Sequence, residues 1–138
     1  LRLGYGIASP AVTVQLQRLL PPWSVGVLAQ AAALAALADR EHCRRTVVFV
    51  SAERQRLAGE LGRIAGLKVF PGAANYLLVQ TAAGMTAALL QQRLLAQRIL
   101  IRDCSNFAGL DERFFRVAVR SAAENDRLLQ ALAAALGG

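Results

Sequence analysis

The sequence predicts an α+β fold, a small and mostly antiparallel sheet with helices on one face, and three observations carry that prediction. From Asp39 to about residue 64, apolar residues recur at alternating spacings of three and four; after Gly66 the period changes to that of strands. The later strands and helices mix without the strict βαβ alternation of a doubly wound sheet. Finally, Ser121-Ala122-Ala123-Glu124 has the form of a capping box and opens a helix striped by Leu128, Leu129, Leu132 and Leu136.

Each element has its own signal. Residues 1–8 read as a short strand made permissive by Gly4 and Gly6, and Ser9-Pro10 supplies an N-cap followed by proline at the first helical position, predicting a helix to about residue 20. Past the Pro21-Pro22-Trp23-Ser24 turn, the alanine-rich segment 25–38 predicts a second helix whose uniform apolarity calls for burial on most sides. Asp39 caps a longer helix to about residue 64, with Val47, Val50, Leu57, Leu61 and Ile64 on its packed face. On its wet face, Arg56 with Glu60 and Glu60 with Arg63 stand at pairing distance. Leu67-Lys68-Val69-Phe70 and Asn75-Tyr76-Leu77-Leu78-Val79 read as two strands joined through Pro71-Gly72. Helix follows over 85–97, strand at 99–101, loop over 103–112 and strand over 114–119.

The chain has 138 residues, the length of one domain, and at 55% apolar and 18% charged it is too hydrophobic for intrinsic disorder. Fifteen arginines and one lysine, Lys68, face nine acids, for a net charge of +7. Cys43 and Cys104 lie far apart and His42 is the only histidine, so neither a disulfide framework nor a metal site is expected, and a reducing, cytoplasmic setting fits. Segment 19–38 is uncharged but opens on Pro21-Pro22, so it reads as a helix of a folded protein and no membrane partner is expected. The start, Leu1-Arg2-Leu3-Gly4-Tyr5, lacks an initiating Met and a signal pattern and reads as a cut inside a longer chain.

Chemistry concentrates in arginines placed on strands. Alternation along 114–120 puts Phe115, Val117 and Val119 on one face and Phe114, Arg116, Ala118 and Arg120 on the other. A guanidinium mid-strand among apolar neighbours needs a partner. For Arg116 two readings stand: an internal salt bridge or an edge arginine reaching water, or a fork that binds a carboxylate or phosphate. Arg102, at the end of the apolar run 99–101, is a second candidate of the same kind. A basic nucleic-acid-binding module is a further alternative; it requires a one-sided arginine surface, whereas these arginines are scattered beside acids, so no nucleic acid is expected. Cys104 reads as a packing residue, and Tyr76 and Trp23 as core or interface aromatics.

The segments Leu1-Arg2-Leu3-Gly4-Tyr5, Pro22-Trp23-Ser24-Val25, Gly66-Leu67-Lys68-Val69-Phe70, Ala74-Asn75-Tyr76-Leu77-Leu78-Val79 and Phe115-Arg116-Val117-Ala118-Val119 resemble, in this order, the C-terminal part of fold-type I pyridoxal-phosphate enzymes of the aminotransferase class I/II superfamily. Within it, Ile101-Arg102-Asp103-Cys104-Ser105-Asn106-Phe107 with Gly109-Leu110 resembles the threonine-phosphate decarboxylases, which are related to the histidinol-phosphate aminotransferases. Gly26 departs from the decarboxylase pattern, which carries Asn there.

The resemblance implies that residues 1–38 are the end of a large cofactor-binding domain with an inter-domain segment. Residues 39–138 would be the small C-terminal domain, with a connecting helix over 39–65. It implies pyridoxal 5'-phosphate as cofactor, with Arg2 on its phosphate; Arg102 and Arg116 on a small phosphorylated amino-acid substrate, Arg116 at the α-carboxylate; and Asn75 and Asn106 in the pocket. The cofactor lysine would lie upstream of Leu1, Lys68 matching a different position, so this chain alone is expected to be inactive. It also implies a homodimer in the full-length protein. Decarboxylation of threonine phosphate in cobalamin biosynthesis and transamination of histidinol-phosphate type are both open, since orientation decides which bond at Cα breaks.

Overall fold

A computed structural model describes residues 3–137, which fall into two compact units, Leu1–Arg45 and Thr46–Gly138. In the first, α1 spans Pro10–Leu19 and α2 spans Val27–Ala38. Ser9 precedes Pro10 as expected, and its carbonyl accepts the Thr13 hydroxyl at 3.0 Å. Residues 3–9 form no strand, contrary to the sequence expectation, and pair with none of the described strands.

The expected burial of α2 is also corrected. Leu28, Leu34 and Leu37 are 79%, 71% and 77% exposed, and neither α1 nor α2 has a buried residue. A helix apolar all round needs neighbours on several sides. This unit holds one other helix and the start of a third.

The third helix, α3, runs Arg40–Arg63 and is capped by the Asp39 carboxylate, which accepts the His42 N–H at 2.9 Å. Its later half packs through Leu57 and Leu61, whereas Val47 is 60% exposed and leaves the expected core. Gly66, at φ +84°, stops the helix in a left-handed turn that a β-carbon would strain, and its carbonyl accepts the Ala82 N–H at 2.7 Å.

The second unit is an antiparallel four-stranded sheet of order β1-β2-β4-β3, with β1 Leu67–Phe70, β2 Tyr76–Thr81, β3 Arg102–Asp103 and β4 Phe114–Ala118. Two further helices, α4 (Ala87–Leu95) and α5 (Ala122–Leu136), complete it. Leu77 and Val79 of β2 and Phe115 and Val117 of β4 alternate inward to meet Leu57 and Leu61 of α3, Leu90 and Leu94 of α4, and Leu128 and Leu132 of α5. One sheet face is thus covered by three helices, as the sequence predicts. Each fully buried leucine contributes about 1.5–3 kcal/mol relative to exposure.

Two local expectations move. The short strand falls at Arg102–Asp103 instead of 99–101. Ile99 donates its N–H to Leu94 at 3.1 Å and Ile101 accepts the Gln91 side chain at 2.7 Å, so that apolar run belongs to the end of α4. Arg56 pairs with Glu53 at 2.6 Å and Asp126 at 2.7 Å and not with Glu60, which pairs with Arg63. The capping box of α5 forms, the Ser121 N–H donating to Glu124 Oε2 at 3.3 Å.

Candidate functional site

The site lies on the β3–β4 side of the sheet. Because Phe115 and Val117 point into the core, Arg116 between them points the other way, toward the face opposite the one packed against α3, α4 and α5. The β3–β4 register sets Arg102 directly opposite Arg116, and the β2–β4 register sets Leu78 on its other side. Two cations at facing positions repel.

Nothing among the described residues neutralises them, since no carboxylate stands within ion-pair distance of either guanidinium. Asp103, the nearest acid in sequence, turns back to accept the Ser105 N–H at 2.8 Å. Aromatic rings hold the guanidiniums instead. The Arg116 group lies 4.4 Å from the Tyr76 ring centre and 5.5 Å from that of Phe107, and Arg102 lies 5.8 Å from Phe107. Arg116 Nε is buried and has no hydrogen-bond partner. A buried donor left unbonded costs about 1–3 kcal/mol, so its presence marks a place where an acceptor from outside these residues belongs.

A cleft of about 610 Å³ opens here, lined among others by Asn75, Tyr76, Gln91, Arg102, Asp103 and Arg116. Asn75, Arg102 and Arg116 are therefore brought together. Asn106 is exposed in the loop after β3 and does not line the cleft. Arg2 lies outside the described residues. Lys68 sits on β1 with Nζ 5.1 Å from the Phe70 ring and is not among the cleft residues. Cys104 is fully buried, and burial pushes its thiol above the usual value against the pull of Arg116 and Arg102, which suits packing and not nucleophilic attack.

Sequence reasoning missed Tyr76 and Gln91. A tyrosine opening a strand looks like a core residue, and its contact with Arg116 follows only from the β2–β4 register. Gln91 stands on α4, and its side chain fixes the Ile101 carbonyl beside Arg102.

A two-cation cleft beside β3 and β4 suits a ligand with two anionic groups. The chain is 45% identical to the threonine-phosphate decarboxylase of Salmonella typhimurium over 100% of its own length and 38% of that protein. It is 37% identical to the histidinol-phosphate aminotransferase of Methanothermobacter thermautotrophicus, over 96% of this chain and 36% of the other. Among solved structures, the histidinol-phosphate aminotransferase of Clostridium acetobutylicum superposes with a TM-score of 0.82 at 29% identity, covering 92% of this chain and 38% of that one. The chain thus spans somewhat over a third of the length of these relatives. Residues 1–132 match the family described as aminotransferase class I and II, and the chain belongs to that family.

Proposed function

We propose that this chain forms the substrate-gripping part of a pyridoxal-phosphate-dependent enzyme that decarboxylates L-threonine O-3-phosphate. The observation that carries the reading is the cross-strand pair Arg102 and Arg116, uncompensated by any described carboxylate, with Arg116 Nε buried and unbonded. L-Threonine O-3-phosphate has a carboxylate and a phosphate; two forks meet two anions. Arg116, the more enclosed, takes the α-carboxylate, and Arg102, more exposed, takes the phosphate. Fixing the carboxylate direction selects which bond at Cα is broken. Asn75 borders this grip, whereas Asn106, exposed in the loop after β3, stands outside it.

Pyridoxal phosphate needs a cradle for its phosphate and a partner for its ring nitrogen. Among the described residues the cleft holds neither a glycine-rich turn nor an uncommitted carboxylate, so these residues fit a substrate's anions and not the cofactor. When bound, the cofactor supplies an electron sink for the carbanion at Cα. Arg2 is its proposed phosphate contact in this chain. The cofactor lysine is proposed to lie outside these 138 residues, a reading supported by Lys68 being the only lysine and standing away from the cleft. The reading extends to a homodimer, supported by the exposed apolar residues of α2, and to a cytoplasmic setting, supported by the free thiols Cys43 and Cys104.

A second reading, transamination of a histidinol-phosphate type of substrate, is favoured by the 0.82 superposition. One assay separates them. The intact protein is supplied with cofactor and either L-threonine O-3-phosphate or L-histidinol phosphate plus 2-oxoglutarate. Release of CO2 from the first supports the decarboxylase; glutamate formation from the second, without CO2 from the first, overturns it.

A further inference from the structure

The β1–β2 ladder ends at Phe70 and Leu78, yet β2 begins two residues earlier, at Tyr76. Tyr76 and Leu77 therefore have β4 on one side, where they face Ala118 and Val117, and no ladder partner on the side of β1. The connection 71–75 leads straight into Asn75 and Tyr76, the residues that border the cleft and stack against Arg116. One end is pinned by β4, whose Val119 N–H donates to the Asn75 carbonyl at 2.9 Å. From the other side Arg54 reaches across from α3, and its Nη1 donates to the carbonyls of Ala73 at 3.1 Å and Ala74 at 3.3 Å. Among the described residues Arg54 has no ion pair. A guanidinium is thus committed to two carbonyls of the five-residue connection that leads into the start of β2, unpaired on the side of β1.

We propose that Arg54 is a positioning residue of the anion cleft: by clamping the Ala73 and Ala74 carbonyls it holds Asn75 and the Tyr76 ring in register with Arg116. The inference rests on the reading of Arg116 as an anion-binding residue. Arg54 touches no ligand itself and acts through the backbone. Losing the clamp frees the approach to Tyr76, so ligand affinity falls through a residue that lines β1 and α3 and not the cleft.

The test is calorimetric binding of L-threonine O-3-phosphate to the intact protein, beside its thermal unfolding. R54A weakens Kd by about tenfold, and R54K, which keeps a cationic donor to the two carbonyls, returns it to within about threefold of wild type. Combining R54A with Tyr76→Leu is far from additive, because both act at one contact. An R54A protein that melts lower but binds as wild type overturns the inference and leaves the anion cleft standing. R54Q is read in the same way should R54A not fold. If wild type does not bind the ligand, or R116Q binds it as wild type does, the reading of Arg116 fails and the inference falls with it.

Discussion

The Arg116 guanidinium lies over the Tyr76 ring, its carbon 4.4 Å from the ring centre, while its neighbour across the β3–β4 ladder is another arginine, Arg102. A side chain placed for stability is not usually built this way. The stacking is worth about 0.5–2 kcal/mol, and against it stand a like-charge neighbour and a buried unbonded nitrogen costing about 1–3 kcal/mol. These effects are of similar size and opposite sign.

Arg116→Met is therefore expected to leave stability within about 1 kcal/mol of wild type, or to raise it, while binding of L-threonine O-3-phosphate is lost by about tenfold or more. Urea unfolding and calorimetric titration of the same preparation check this. An arginine held in an internal salt bridge would behave oppositely, losing about 3–5 kcal/mol on truncation.

What the sequence made legible was whatever a local rule governs. The alternation over β4, the capping box before α5 and the change of period after Gly66 each act over a few residues, and each element appears where expected. Arg102 and Arg116 were singled out by their strand positions and Asn75 by motif resemblance, and the three line one cleft. Exposure of α2 was not legible, because apolarity tells that a surface wants cover and not whether this chain supplies it. Nor was Glu53, a carboxylate on a charged helix that is only 7% exposed because a residue 72 positions later, Asn125, reaches it.

That contact supports a second prediction. Asn125 donates to Glu53 Oε1 at 2.9 Å and to the Arg120 carbonyl at 3.0 Å, so a buried amide joins α3 to the end of β4. Asn125→Asp keeps the shape but sets two carboxylates against each other and removes both donations. The cost is about 3–5 kcal/mol at pH 7. Lowering the pH toward 5 returns part of it, since one carboxyl of such a pair protonates readily. Denaturation midpoints at the two pH values measure the recovery; wild type shows none.

Acid stability follows from the same network. Arg56, then Asn125, hold Glu53 below the usual carboxylate range by hydrogen bonding; Arg113 does so for Asp111; Ser121 with Arg120 does so for Glu124. Each folded value lies below its unfolded one, so the stability these groups give is fully present above the unfolded range, about pH 4–5. It is lost as the pH falls through the folded values. Thermal unfolding is expected to be flat from pH 7 to about 5 and to drop below that. Glu53→Gln, costing about 1–3 kcal/mol at neutral pH, makes the acid limb shallower.

The two thiols provide the last prediction, which bears on the chemistry of the cleft. Cys43 is exposed on α3, whereas Cys104 is buried beside β3 and its thiol lies 3.5 Å from the Arg102 carbonyl. Burial pushes the Cys104 thiol up, and the positive charges of Arg116 and Arg102 offset that only in part. A thiol both buried and protonated reacts only when the loop after β3 opens, so iodoacetamide at pH 8 is expected to modify Cys43 first and Cys104 at least about a hundredfold more slowly. Because an anion between Arg102 and Arg116 holds β3 against β4, L-threonine O-3-phosphate should slow the Cys104 reaction further and leave Cys43 unaffected. Cys104→Ser should keep the affinity for that ligand. If Cys104 is labelled as fast as Cys43, or its serine variant fails to bind, then the thiol is part of the cleft's chemistry and not of its packing.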